Sequence, residues 1–363
     1  GWFSKSGLVR QKSMNENNPP PEPKAMEPVQ PSPLRLLVGT SPHVHAEQGV
    51  PEIMRWVVLA LLPAVAVSLW SFGLEALRVY VLAVGACLAI EWICLRIFKT
   101  PGSLADGSAA VTGVLLAMNL PPTSPSWMVL IGAVVAIVFA KHLFGGLGSN
   151  IFNPALTARV FLLISWPVSM TTWLKVGERG FISPSADLQA ITQPTPLGML
   201  KVGELQSVAT EAGEWLLRDE GGSLGEVSAL ALVLGGVCLL WKRIITWEIP
   251  VFFIGTTVVF TAAAWLIDPS SYASPLTHAL SGGLLLGAIF MATDMVTSPG
   301  TFQGRVIFAI GCGLLTAIIR LWGGYPEGVS FAILLMNGLT PLIDRLVRPR
   351  PHGAMAPSRK VPA

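Results

Sequence analysis

The chain has 363 residues, of which 52% are hydrophobic and only 12% charged; its formal net charge is +3 and its mean hydropathy +0.61. Soluble domains carry about 25% charged residues, so there is too little charge here to coat a water-facing surface. The small, dispersed positive charge argues against a nucleic-acid binder, and the 36 glycines suit helices that pack in lipid.

Residues 1–35 are polar and proline-rich, with Pro19, Pro20 and Pro21 in a row. Such a stretch cannot bury enough apolar surface to fold alone and reads as a disordered cytoplasmic arm. Ser41-Pro42-His43-Val44-His45 follows. A histidine pair with no third ligand in view reads as ordinary polar residues ahead of a helix rather than as a metal site.

Hydrophobic runs then come in quick succession. A spanning helix needs about 20 mostly apolar residues. Candidates lie at 52–72, 76–98, 104–120, 127–144, 154–170, 224–241, 246–267, 276–293, 306–322 and 328–346. The predicted class is an all-α polytopic membrane protein with ten spans, grouped as 36–170 and 224–346. Between the groups lies a long polar loop, 171–223, and after them a basic tail, 347–363. The third, fifth and eighth runs are short or interrupted by Gly, Pro or Asn. Broken membrane helices are tolerated where they are buried in protein or line a cavity. In matching places of two halves they point to a central site.

Lys and Arg in short loops set the orientation. Arg96 with Lys99, Lys141 with Arg159, Lys242 with Arg243, and Arg305 fall alternately on one face, together with the basic arm and tail. That face is predicted to be cytoplasmic. The 171–223 loop, with acidic residues outnumbering basic ones, is predicted to be periplasmic. Cys87, Cys94, Cys238 and Cys312 all sit in apolar runs without a Cys-x-x-Cys, and read as buried small hydrophobes.

A weak internal repeat is present. His142-Leu143-Phe144-Gly145-Gly146 recurs as Arg320-Leu321-Trp322-Gly323-Gly324, and Thr112-Gly113-Val114-Leu115-Leu116 resembles Gly282-Gly283-Leu284-Leu285-Leu286, in the same order. Two five-span repeats follow, and an odd number of spans inserts the second half upside down.

Ionisable residues in or near spans are Glu91, Asp106, Lys141, Arg159, Asp268 and Asp294. Charge in a bilayer is costly and defaults to a functional hypothesis, although most of these lie near span ends, where they can reach water. Asp106 and Asp294 occupy corresponding places in the two halves. They are candidates for an ion path, with helix capping as the plainer role. In the polar loop Thr195 stands between Pro194 and Pro196. By itself this is a turn residue, a weak nucleophile without a base beside it.

Several blocks together resemble the D subunits of Rnf electron-transport complexes and, more distantly, the B subunits of sodium-translocating NADH:quinone oxidoreductases. They are Ser41-Pro42-His43-Val44-His45, Gly145 to Ala155, Gln193-Pro194-Thr195-Pro196-Leu197, Thr293-Asp294-Met295-Val296-Thr297, Gly304-Arg305, Gly323 to Val329, Leu335-Met336-Asn337 and Pro341-Leu342-Ile343-Asp344. The resemblance implies a urea-transporter-like fold of ten helices in the bacterial inner membrane. It implies FMN joined through its phosphate to the Thr195 hydroxyl by a periplasmic flavin transferase, which supplies the activation that the bare loop lacks. Pro194 stands where the family usually has Ala. Thr192 is the nearer rival for the attachment. Thr301, in the similar Ser298-Pro299-Gly300-Thr301, falls on the face predicted to be cytoplasmic. The family passes electrons between NADH and ferredoxin with coupled sodium ion or proton transport. Its partners are other membrane subunits, iron–sulfur subunits and a second covalent flavoprotein, and some relatives also hold riboflavin in this subunit. The competing reading is a transporter or channel of the same architecture without redox function.

Overall fold

A computed structural model describes residues 49–98, 104–173, 195–202, 222–325 and 327–348. The N-terminal arm, the His43 and His45 pair, Thr192 with most of the polar loop, and the end of the basic tail lie outside the described residues.

Helix α1 (Val50–Phe72) starts after an extended Gly49 with Pro51 in its first turn, where a missing amide N–H costs nothing. It ends at Gly73, whose φ of 61° turns the chain directly into α2 (Leu74–Phe98). A short 3₁₀ turn, Leu104–Asp106, then precedes α3 (Ser108–Met118). The next span begins as α4 (Ser126–Val134), widens into a π-helical turn at Val135–Phe139 and closes with a 3₁₀ turn at His142–Phe144. After it come α5 (Pro154–Ser165), α6 (Pro167–Met170) and, within the polar loop, α7 (Pro196–Val202). The second group holds α8 (Ala229–Trp241), α9 (Glu248–Ile267), α10 (Pro275–Leu280) and α11 (Leu284–Leu286), which runs on into a second π-helical turn at Gly287–Met291. It closes with α12 (Phe302–Trp322) and α13 (Val329–Leu346).

Among the described residues there is no strand, and six helical segments are long and apolar enough to cross a membrane. They are Val50–Phe72, Leu74–Phe98, Ser126–Phe144, Glu248–Ile267, Phe302–Trp322 and Val329–Leu346; α3, α5 and α8 are shorter apolar helices. Their outward faces carry large exposed apolar side chains such as Trp70, Trp241, Leu266 and Trp322. Water would penalise that surface and lipid would not.

Small residues let the helices touch. A Cβ on Gly235 of α8 would lie 2.2 Å from the Ala60 carbonyl oxygen of α1, and one on Gly113 of α3 would lie 2.7 Å from the Val84 Cα of α2. Lipid offers no hydrophobic drive between helices, so such close backbone contact carries much of the packing.

Four expected spans differ in the structure, the third because Gly107, at φ 77°, separates the Leu104–Asp106 turn from the 11-residue α3. The fifth is not continuous, because Pro167 removes an amide and drives Trp166 out of helical geometry, to ψ 64°. The sixth starts at Ala229, since the amides of Leu224 and Gly225 go instead to the carbonyls of Leu120 and Met118 at the end of α3. Broken helix ends at this depth must find such partners. The eighth breaks between α10 and α11, where Gly282 takes a φ of 68°.

Candidate functional site

Thr195 is 5% exposed and caps α7: its Oγ1 accepts from the Gly198 N–H at 3.0 Å, and its carbonyl from the Met199 N–H at 2.8 Å. Leu197 and Met199 bury the inner face of the helix. Leu197 rests on Gly282. A Cβ there would lie 2.6 Å from Leu197 Cδ1, 3.1 Å from Arg320 Nη2 and 3.8 Å from Glu327 Cγ. The break between α10 and α11 thus makes the seat on which the Thr195 segment docks.

Under that seat lies a buried cluster of charge. Arg159 of α5 donates to the Asn119 side-chain oxygen at 2.6 Å, pairs with the Glu327 carboxylate and lies 3.8 Å from Glu226. The Ser223 hydroxyl donates to Glu226 at 2.7 Å. Arg320 of α12 donates to the carbonyls of His278 and Ser281 at the C-terminal end of α10. Arg159, Glu226 and Arg320 are all less than a tenth exposed. Buried charges persist only when paired and hydrogen-bonded: Arg159 meets both carboxylates, and Arg320 is satisfied by backbone carbonyls.

A second cluster surrounds Lys141, which follows the first π-helical turn. Its Nζ donates to Glu91 Oε1 of α2 at 2.7 Å and to Ser108 Oγ of α3 at 2.7 Å. His142 Nε2 lies 3.1 Å from the other Glu91 oxygen, and its ring stacks on Phe98. Ser108 in turn donates from both its amide and its hydroxyl to Asp106, at 2.8 and 2.7 Å. Lys141 and Ser108 form part of the wall of a partly open cavity of about 120 Å³, along with Met54, Thr112, Asn153, Phe290 and Asp294.

These positions sharpen the sequence expectations. Of the six ionisable residues, most of which were expected near water, Glu91, Lys141 and Arg159 are buried and paired. Asp106 caps the start of α3, and Asp294 caps its own loop by accepting from the Val296 amide and the Thr297 hydroxyl. Asp294 reaches the cavity directly, whereas Asp106 meets it through Ser108. Thr301 caps α12 through the Gly304 amide. The four cysteines are free thiols, and among the described residues no three His, Cys, Asp or Glu side chains converge as a metal site. Sequence patterns did not single out Glu226, and they marked Arg320 and Glu327 only as parts of the repeat and the family blocks. A carboxylate in the apolar approach to a span, Ser223-Leu224-Gly225-Glu226, was the available signal.

Comparison with known proteins places this geometry in context. The sequence profile of the NQR2, RnfD, RnfE family matches residues 37–353. The chain is similar to the D subunit of the proton-translocating ferredoxin:NAD(+) oxidoreductase complex of Clostridium ljungdahlii, 45% identical over 325 residues, 88% of this chain and 96% of the relative. It is also similar to the D subunit of the Na(+)-translocating ferredoxin:NAD(+) oxidoreductase complex of Acetobacterium woodii, 46% identical over 321 residues with the same two coverages, 88% and 96%. The D subunit of the ion-translocating oxidoreductase complex of Halorhodospira halophila is 43% identical over 341 residues, 88% of this chain and 95% of the relative.

Proposed function

The chain belongs to the NQR2, RnfD, RnfE family, and from that premise we propose that it is the flavin-carrying membrane subunit of an ion-translocating ferredoxin:NAD+ oxidoreductase. It is a multi-pass membrane subunit of an Rnf-type electron-transport complex, working with the other subunits of that complex. The proposal adds the carrier: FMN esterified through its phosphate to Thr195.

The observation that carries this is the seating of α7. The segment bearing the family's attachment motif packs through Leu197 onto Gly282, beside Arg320 and Glu327. A group on Thr195 is thereby held against the helical bundle, not on a free loop. Arg320 brings a positive charge to the same seat, its Nη2 3.1 Å from where a Gly282 Cβ would stand, which favours an anionic group on the segment docked there. A bound flavin supplies one- and two-electron transfer. The chain's own contribution is to hold it in place and to set its electrostatic surroundings.

The cavity beside Lys141 is the proposed place for a second, non-covalent flavin of the riboflavin type. Its walls are largely apolar, with amide and hydroxyl groups from Asn150, Asn153 and Thr112 and charged groups from Lys141 and Asp294. Apolar walls with a few placed polar groups suit a planar ring with a polar edge.

The proposed architecture is two inverted five-helix halves of urea-transporter-like form. Recurring neighbours support it: α2 packs on α3 and α4 as α9 packs on α10 and α12, and α1 meets α8 between the halves. The bacterial inner membrane is the proposed location, with both termini cytoplasmic and Thr195 periplasmic. A flavin transferase, iron–sulfur subunits and a second covalent flavoprotein are the proposed partners. The coupled ion stays open between proton and sodium, because relatives at 45% and 46% identity are named for different ions.

In-gel fluorescence under ultraviolet light, after denaturation, tests the carrier. A fluorescent band that disappears in Thr195→Val and persists in Thr195→Ser is expected. Mass spectrometry should find the flavin on the peptide containing Thr195. An unmodified peptide from cells that make the transferase removes the redox reading and leaves a transporter or channel.

A further inference from the structure

The Lys141 cluster takes no part in seating α7, and it joins exchangeable groups without a gap. Asp106 Oδ1 lies 2.7 Å from Ser108 Oγ, Ser108 Oγ lies 2.7 Å from Lys141 Nζ, and Lys141 Nζ lies 2.7 Å from Glu91 Oε1. His142 Nε2 lies 3.1 Å from Glu91 Oε2 without a hydrogen bond between them, so the hydrogen-bonded chain runs from Asp106 to Glu91. One end, Asp106, is half-buried, while Ser108 and Lys141 stand in the cavity wall. An ammonium has three N–H donors; Glu91 and Ser108 take two. Stability alone is a poor reason for this arrangement, since well-packed apolar residues often hold helices at least as well as a buried ion pair does.

We infer that Asp106, Ser108 and Lys141 form a proton path from the edge of the bundle to the cavity ligand, with Glu91 and His142 as positioning residues for the Lys141 ammonium. The inference rests on reading the cavity as the site of a non-covalent flavin. When the ring gains an electron from a partner redox centre of the complex, an N–H bond of the ammonium breaks and the proton joins the ring. The neutral amine then regains a proton from water by way of Asp106 and the Ser108 hydroxyl. On oxidation the electron leaves and the ring returns its proton. One proton then exits from Lys141 through Ser108 to Asp106, the direction in which these hydrogen bonds already point. Other titratable groups facing the path are Cys87 and Cys94, on the same helix as Glu91, and Asp294 across the cavity. Asp294 is engaged with its own loop and does not extend the chain.

Ser108→Ala is the decisive change, because it removes one hydroxyl and leaves both the Lys141–Glu91 pair and the backbone cap on Asp106. The measurement is proton uptake by the purified complex after rapid chemical reduction, followed with a pH-indicator dye, beside the content of acid-extractable flavin. Ser108→Ala and Asp106→Asn should each keep their flavin and slow the uptake phase about a hundredfold, the lower end for a positioned proton-transfer group. Ser108→Thr should retain the rate, and a small weak acid added to Asp106→Asn should restore it. If Asp106→Asn fails to fold, Ser108→Ala and its Thr control decide alone. Unchanged uptake in a flavin-loaded Ser108→Ala complex overturns the path and leaves the cavity reading intact. Wild-type complex in which this chain holds no extractable flavin overturns the cavity reading, and the path with it.

Discussion

Substituting Gly282 by alanine tests whether α7 is seated on the bundle as described. The residue has a φ of 68°, so any side chain there pays for left-handed backbone, about 1 kcal/mol. The new Cβ would also stand 2.6 Å from Leu197 Cδ1 and 3.1 Å from Arg320 Nη2, closer than side chains pack. Overpacking of this kind costs about 1–3 kcal/mol, for a total of about 2–4 kcal/mol when the two penalties are added. Leu197→Ala by itself removes a buried anchor and costs about 2–5 kcal/mol if the site does not collapse. Combined, the two changes relieve each other, because the alanine methyl at 282 occupies space that Leu197 vacates. The double variant should fall short of the sum of the singles by about 1–3 kcal/mol, the size expected for residues in contact. Thermal unfolding in detergent measures all three, and limited proteolysis around Thr195 reports release of α7 in the single variants. Strict additivity, with no change in proteolysis, would refute the docking of the Thr195 segment on Gly282.

Three further outcomes are expected. Arg159→Met leaves buried Glu226 and partly buried Glu327 without that guanidinium and should cost about 3 kcal/mol in the same thermal assay, the low end for a broken buried pair; adding Glu226→Gln and Glu327→Gln should recover most of it. A cysteine introduced at Gln189 should react with an impermeant maleimide in intact cells, and reaction only in inverted vesicles would reverse the proposed orientation. Asp268, at the exposed end of α9, has its carboxyl held below the usual range, first by the Ser270 hydroxyl and then by Ser271. A lowered folded pKa means that this turn's stabilisation is complete above the unfolded value, about 3.9, and is lost as pH falls through the folded one. Amide exchange at Ser270, corrected for its intrinsic rate, should stay protected above that range and lose protection below it.

Much of the fold was legible because membrane spans are written in local composition. The runs around α1, α2, α9, α12 and α13 needed only their length and apolarity to be recognised, and Pro and Gly marked the third, fifth and eighth as irregular. Details failed where a tertiary partner competed for the backbone. Leu224 and Gly225 could have opened a helix, but their amides serve the end of α3. The candidate site was legible only in part. Thr195 could be named from the family blocks, yet nothing local showed its segment docked on Gly282. Asp106 and Asp294 drew notice as charges in corresponding places, and both proved to cap their own turns; Asp294 lines the cavity that Lys141 also lines, and Asp106 reaches Lys141 through Ser108.

The sequence by itself determined the solvent of this protein, which three of its helical runs are interrupted and the family to which it belongs. Each depends on residue types within a few turns of one another, or on blocks that can be matched in order. Only the tertiary structure decided which charges meet. Arg159 and Glu327 stand 168 positions apart, and Lys141 and Glu91 stand 50 apart. Each pair forms because the fold brings distant segments together where water has little access to an ion and another side chain must serve. Local periodicity carries no record of such encounters, so both buried clusters emerged only when the chain was folded.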